Sequence, residues 1–206
     1  MELDVHILVM DYTPKDVVSR CLDSVNTAAS QAGFPVNVHV LDGEYGHLGK
    51  SRKRGYSLGN SKYVTHVDDD DWVDSDAFSV LAPLLREGAQ AITTGERVHV
   101  AGQSRDCPDA RHHLAVFSRE VLSRSDYSTF KYFPDQRLLS QVTPAHIYRC
   151  VYNHVIHSSG SRRCRADNKL EADLELSRIK DKRLTHLETA SYSTIASIID
   201  EELGHD

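Results

Sequence analysis

Over roughly the first 90 residues, short apolar runs alternate with segments whose apolar positions repeat at helical spacing. Val5 to Met10 is apolar and β-branched enough for a buried strand, and Pro14 then opens a stretch in which Val17, Val18, Cys21, Leu22, Val25 and Ala28 recur with the helical period. Gly33 closes that helix, and Val36 to Leu41 reads as a second strand stopped by Asp42-Gly43. Leu48 to Gly59 predicts a basic helix, Tyr63 to Val67 a third strand, and Ala77 to Leu85 an amphipathic helix. Such alternation predicts an α/β fold with a mostly parallel sheet flanked by helices, in which ligands bind at the carboxyl ends of the strands. Asp11-Tyr12, Asp42 and Asp68 to Asp71 all fall at such ends.

The second half is less regular. Ala91 to Thr94 and His113 to Phe117 predict strands around a polar loop containing Gly102, Cys107 and Pro108. Short helices follow near Arg119 to Leu122 and Asp135 to Val142, then a strand around Ile147 to Ile156. From Asp167 onward, Leu170, Leu174, Leu176 and Ile179, then Ile195, Ile198, Ile199 and Leu203, predict two C-terminal helices. The expected organisation is one domain over 1–166, divided into halves 1–90 and 91–166, with a helical extension over 167–206.

Composition narrows the function. A chain of 206 residues with 40% hydrophobic content can bury one sizeable core. A net charge of -6 and a pI near 6.0 exclude a generic nucleic-acid binder, which needs a strong basic surplus. Local basic stretches remain at Lys50 to Arg54 and at Arg162-Arg163-Cys164-Arg165. The cysteines Cys21, Cys107, Cys150 and Cys164 form no C-x-x-C pair, so reduced thiols are expected rather than a zinc site or a disulfide framework. The acidic start Met1-Glu2-Leu3-Asp4 and the short apolar run behind it predict no signal peptide and no membrane span, hence a soluble cytoplasmic protein.

The strongest chemical signal is the run of four aspartates, Asp68 to Asp71, at a strand end. Crowded carboxylates repel one another, and a divalent cation with a preference for hard oxygen ligands relieves the repulsion and can then hold a diphosphate. The bland reading is an acidic loop in which Asp74 or Ser75 caps the next helix. Gly49-Lys50-Ser51 resembles the end of a P-loop, but position 44, where that motif needs glycine, is Glu44. The chain has twelve histidines and no H-E-x-x-H, and His112-His113 reads as a surface pair.

The order of these segments resembles the nucleotide-sugar-binding half of family 2 glycosyltransferases with the GT-A fold. The matching pieces are Met10-Asp11-Tyr12-Thr13, Cys21-Leu22-Asp23-Ser24-Val25, Asp42-Gly43, Gly49 with Ser51-Arg52-Lys53-Arg54-Gly55, and Ser61-Lys62-Tyr63-Val64 leading into Val67-Asp68-Asp69-Asp70-Asp71. The resemblance implies a Rossmann-like GT-A sheet and a donor site in which Tyr12 stacks on the base and Asp11 or Asp42 accepts hydrogen bonds from base or ribose. It also places Arg52 near the diphosphate or base, Asp68 nearer the ribose, and Asp69 beside the nucleotide sugar. Asp70 would bind Mn²⁺ or Mg²⁺. Lys53 departs from the family's usual asparagine. Pro134-Asp135-Gln136 resembles the family's Glu-Asp pair, with proline in place of glutamate, and implies Asp135 as catalytic base. A histidine after the last strand would complete the metal's coordination, with His157 chosen and His154 as the alternative.

The function expected is therefore metal-dependent, inverting transfer of a sugar from a nucleotide-diphosphate donor, most simply a uridine one, to an acceptor hydroxyl. The acceptor stays open among a glycan, a protein and a hydroxymethylated base in DNA, the last through the basic stretches. Two alternatives compete: a nucleotidyltransferase, which would release pyrophosphate, and a non-catalytic module that only binds nucleotide sugars.

Overall fold

Three parallel strands set the frame: β1 (Leu3–Val9) lies between β2 (Val36–Asp42) and β3 (Tyr63–Asp68). The computed structural model describes residues 1–43, 46–100, 102–111, 113–156, 174–175 and 177–179. Helix α1 (Lys15–Gln31) returns the chain from β1 to β2 and buries the predicted stripe Cys21, Val25 and Ala28. Helix α2 (Leu48–Tyr56) leads to β3. Gly49 permits its close approach to the segment around Phe130, because a Cβ there would lie 2.2 Å from the Phe130 carbonyl oxygen. Gly49-Lys50-Ser51 thus marks a packing contact, with the Leu48 and Gly49 amides donating to Lys131 and Phe130.

The remaining strands are β4 (Trp72–Val73), β5 (Ala91–Val100), β6 (Gln103–Cys107), β7 (Val116–Ser118) and β8 (Ala145–Ile156), and the sheet runs β2-β1-β3-β7-β5-β8-β4 with β6 on β5. β1, β2, β3, β5 and β8 point one way, and β4, β6 and β7 the other. The order and directions are those of a GT-A-like α/β fold.

Helices cover both faces. On one, α1 and α3 (Ala82–Glu87) pack Cys21, Val25, Ala28 and Leu85 against Val5, Ile7, Tyr63 and Val67. On the other, α2, α4 (Arg119–Arg124) and α5 (Pro134–Leu139) bring Tyr56, Val121, Leu138 and Leu139 against Val64 and Phe117. Because successive strand residues face opposite sides, Val64, His66 and Asp68 share the second face.

Several boundaries differ from expectation for identifiable reasons. The expected polar loop after Thr94 is a hairpin in which β5 continues to Val100 and turns at Gly102 (φ 85°) into β6. Gln103 to Asp106 are exposed and polar, so backbone pairing holds this strand and no apolar alternation announces it. The expected helix Ala77 to Leu85 begins as a single 3-10 turn over Ser79–Leu81, and α3 follows with Pro83 in its first turn, where a missing amide hydrogen costs nothing. Asp74 caps no helix, since its carboxylate accepts from the Asn153 side-chain amide at 2.9 Å. The strand expected from His113 begins only at Val116, after Leu114 takes a left-handed φ of 45°. Most of the expected C-terminal helices, and positions 162–165, lie outside the described residues. Within the described part, Glu175 accepts the Lys131 and Tyr132 amides, and Ile179 packs with Phe130 and Phe133.

Candidate active site

At the carboxyl ends of the parallel strands three elements converge on one guanidinium. Arg52, on α2 and buried, donates from Nη2 to Asp68 Oδ1 at the end of β3 (2.7 Å) and from Nε to Asp135 Oδ2 in the first turn of α5 (3.4 Å). Burial opposes the arginine's charge, but Asp135 and Asp68 outweigh it and raise its proton affinity further. Burial pushes Asp68 up, and Arg52 more than reverses this, so Asp68 stays ionised far below the usual carboxylate range. Arg52 Nη1 is buried with no hydrogen-bond acceptor among the described residues.

Asp135 has two further neighbours that its sequence motif does not reveal. Tyr56 Oη lies 3.4 Å from Asp135 Oδ1 and 2.7 Å from His66 Nδ1, while His66 Nε2 is 3.6 Å from Asp135 Oδ2. Burial, and then Arg52, lower the His66 proton affinity and keep the ring neutral. Both neighbours were accessible in principle: Tyr56 lies four residues after Arg52 on the same helix, and His66 two residues before Asp68 on the same strand face.

The other predicted donor residues sit at the same edge. Tyr12, in the turn after β1, is 63% exposed, and Asp11 beside it is exposed. Asp42, exposed at the end of β2, accepts through its backbone carbonyl from Arg54 on α2. Asp69 is buried and its carboxylate accepts the Met10 amide at 2.7 Å. It therefore pins the β1 turn to the β3 turn, and it brings Asp11 and Tyr12 to the aspartate run.

Asp70 lies in that turn, with its carbonyl accepting from Arg20 Nη2 at 3.0 Å while the guanidinium stacks 4.1 Å over the Trp72 ring. Burial and then Asp68 and Asp69 push its carboxyl up to about 7. The next residue, Asp71, is buried and accepts from Tyr152 Oη (2.7 Å) and the Val155 amide (2.8 Å). His157 lies outside the described residues, whereas His154 is on β8. His113, expected at the surface, is only 11% exposed at its side chain and stacks on Tyr152. The signal that misled is its sequence neighbourhood, since the loop around it is polar.

The glycosyl transferase family 2 model matches residues 3–156. No curated protein matches the chain in sequence. Among solved structures, the fold resembles residues 1–349 of S. aureus TarS (12% identity, TM-score 0.57, covering 92% of this chain and 69% of that one). It resembles the same TarS fragment in complex with UDP-GlcNAc (12%, TM-score 0.59, 92% and 70%), and a longer TarS structure (13%, TM-score 0.59) of which the chain spans 42%. Identity at this level speaks for the fold alone, but the family match covers the whole sheet and every described residue of the site. The chain belongs to glycosyl transferase family 2, and its chemistry is glycosyl transfer from a nucleotide sugar.

Proposed function

We propose that the protein transfers a sugar from a uridine-diphosphate donor to an acceptor hydroxyl, with inversion, using a divalent cation held at Asp70 and Asp135 as general base. The observation that carries this reading is the convergence of Asp68, Arg52 and Asp135, from β3, α2 and α5, on the ligand-binding edge of a parallel sheet. UDP complexes of S. aureus TarS, a structure with the same fold, support the choice of nucleotide.

Tyr12 offers a face for the uracil, and Asp11 and Asp42 flank the position of base and ribose. Asp70 suits Mg²⁺ or Mn²⁺, because its partly buried carboxylate carries repulsion from Asp68 and Asp69 that a hard cation removes. When bound, that ion would offset charge on the departing diphosphate. Arg52 holds Asp68 and Asp135 through Nη2 and Nε, which ties the donor side of the site to the base. Asp135, 15% exposed, is reachable by an acceptor hydroxyl, and Tyr56 and His66 orient its carboxylate. The acceptor proton goes to Asp135 as the hydroxyl oxygen attacks the anomeric carbon and the nucleoside diphosphate leaves.

Calorimetry of UDP with Mn²⁺ and with chelator tests the donor site. We expect at least tenfold weaker binding in chelator, a difference of about 1.4 kcal/mol. Equal affinity in both would remove the metal from the reading. Release of UDP on turnover separates glycosyl transfer from nucleotidyl transfer, which would release pyrophosphate. A DNA acceptor requires duplex binding that weakens steeply with salt.

A further inference from the structure

The turn that carries the proposed base is held by a residue beyond 3–156, the region that the family model matches. Asp135 sits in the first turn of α5, a helix of six residues whose N-cap, Phe133, makes no side-chain capping bond. So short a helix has little stability of its own, and its direction follows the loop that enters it. That loop, Phe130 to Phe133, is gripped at two consecutive peptide groups. From one side the Gly49 and Leu48 amides at the start of α2 donate to the Phe130 and Lys131 carbonyls, at 3.0 and 2.9 Å. From the other side the Glu175 carboxylate accepts the Lys131 amide on Oε1 and the Tyr132 amide on Oε2, the latter at 2.9 Å.

Glu175 is 6% exposed, and a buried carboxyl group is costly unless hydrogen bonds satisfy it. Here the satisfying donors are the loop's own backbone. Its neighbours add contacts at the same place: Ile179 packs with Phe130 and Phe133, and the Arg178 guanidinium lies 4.6 Å over the Phe130 ring, which Arg137 of α5 approaches at 5.6 Å. Arg52 lies about one helical turn after Leu48 on α2. The loop that Glu175 holds therefore joins the two helices whose side chains, Arg52 and Asp135, meet in the candidate site.

We propose, resting on Asp135 as the base, that Glu175 is a positioning residue for the transfer reaction. It sets the loop before α5, and through that loop the place of Asp135 relative to Arg52 and to an acceptor hydroxyl. It acts through the backbone of Lys131 and Tyr132 rather than on the reacting atoms.

Hydrogen–deuterium exchange of the full chain, beside release of UDP from UDP-GlcNAc with Mn²⁺ and water as acceptor, tests the proposal. Glu175→Gln puts an amide group where a carboxylate oxygen accepts. Exchange should then quicken at Lys131 and Tyr132 and across α5, while α1 and β2 keep their protection. Turnover should fall about 10- to 100-fold with UDP affinity unchanged, the scale of a base displaced from its working geometry. In the Asp135→Asn background the same change should lower turnover no further, because residues that act as a unit are non-additive. Leu174→Ala, at an exposed neighbour, should alter neither quantity. Ile179→Ala loosens the same loop through Phe130 and Phe133, and carries these predictions where circular dichroism shows that Glu175→Gln has not folded.

A merely structural contact would lower the unfolding midpoint but leave α5 protected and turnover per folded molecule at the wild-type level, and that result would overturn the proposal. An equal loss from Glu175→Gln with and without Asp135→Asn would overturn it as well. Wild-type turnover in Asp135→Asn would instead remove the base, and the positioning role with it. If the unaltered chain releases no UDP, that counts against this donor, and exchange across α5 decides whether Glu175 positions the helix.

Discussion

Asp4 and Asp70 sit at opposite ends of the same parallel strands, and burial raises the carboxyl of each, but their neighbours reverse the effect at one and add to it at the other. Asp4, at the amino end of β1, is fully buried; burial alone would raise its carboxyl, but hydrogen bonds from Asn37, Arg119, Ser61 and His39 hold it at about 2. Arg119 donates to Asp4 Oδ2 at 2.7 Å and also binds the carbonyls of Ser61, Tyr56 and Leu58. At the carboxyl end, Asp70 sits near 7 because burial, Asp68 and Asp69 all disfavour its charge. One end of the sheet closes its electrostatics within the protein, tying β1, β2, β3 and α4 together. At the other end repulsion among Asp68, Asp69 and Asp70 is left uncompensated at Asp70, which is the ground for the cation in the proposed function.

The largest expected effect lies at the carboxyl end. Asp135→Asn keeps the shape of the side chain but cannot take a proton, so turnover should fall by about 10²- to 10⁴-fold while UDP affinity changes little. Single-turnover kinetics with saturating acceptor, beside calorimetry, read the two quantities separately. A variant that keeps more than about half its turnover would place the base elsewhere.

Arg119→Ala probes the amino end. It strips Asp4 of its ion pair and leaves three carbonyls to find other donors, so the urea unfolding midpoint should fall by the equivalent of about 3 kcal/mol. Turnover per folded molecule should stay at the wild-type level. A parallel collapse of turnover in folded protein would show that the two ends are coupled.

The effects of pH at the two ends are opposite in sign. Asp4 is depressed from 3.8 to about 2, so its contribution to stability is complete above 3.8 and is lost as the pH falls toward 2. Asp70 is raised from 3.8 to about 7, so the metal-free protein loses stability as the pH rises between those values. Asp70→Asn should therefore raise the unfolding temperature of chelated protein at about pH 8 and change it little at about pH 4. The same variant should show no such gain when Mn²⁺ is present. Stabilisation of equal size at both pH values would mean that the aspartate's charge is not the cause.

How far the sequence is legible differs between these regions. β1 to β3, α1 and the placement of Asp11, Asp42 and the aspartate run at strand ends follow from apolar periodicity and turn residues, because each element buries one face locally. The ordered family motifs of the first half pointed to Arg52 and Asp68, and a separate partial motif pointed to Asp135; the structure brings these three into contact. β4 and β6 left no comparable trace: one is two residues long, and the other is exposed, polar and held by backbone pairing. Asp69 read as a donor ligand, and its carboxylate is engaged with the Met10 amide.

The residues by themselves determined the parallel α/β frame, the family, and the edge of the sheet where the candidate site residues gather, since those depend on short-range periodicity and on motifs within a few residues. Only the tertiary structure decided which aspartate is compensated and which is exposed to its neighbours. It also decided that Tyr56 and His66 orient Asp135, and that Asp71, His113 and His154 meet. These contacts join positions tens of residues apart, and they are fixed by strand order. The charge state of a buried carboxylate depends on which groups the fold brings within a few ångströms, a distance that sequence separation does not encode.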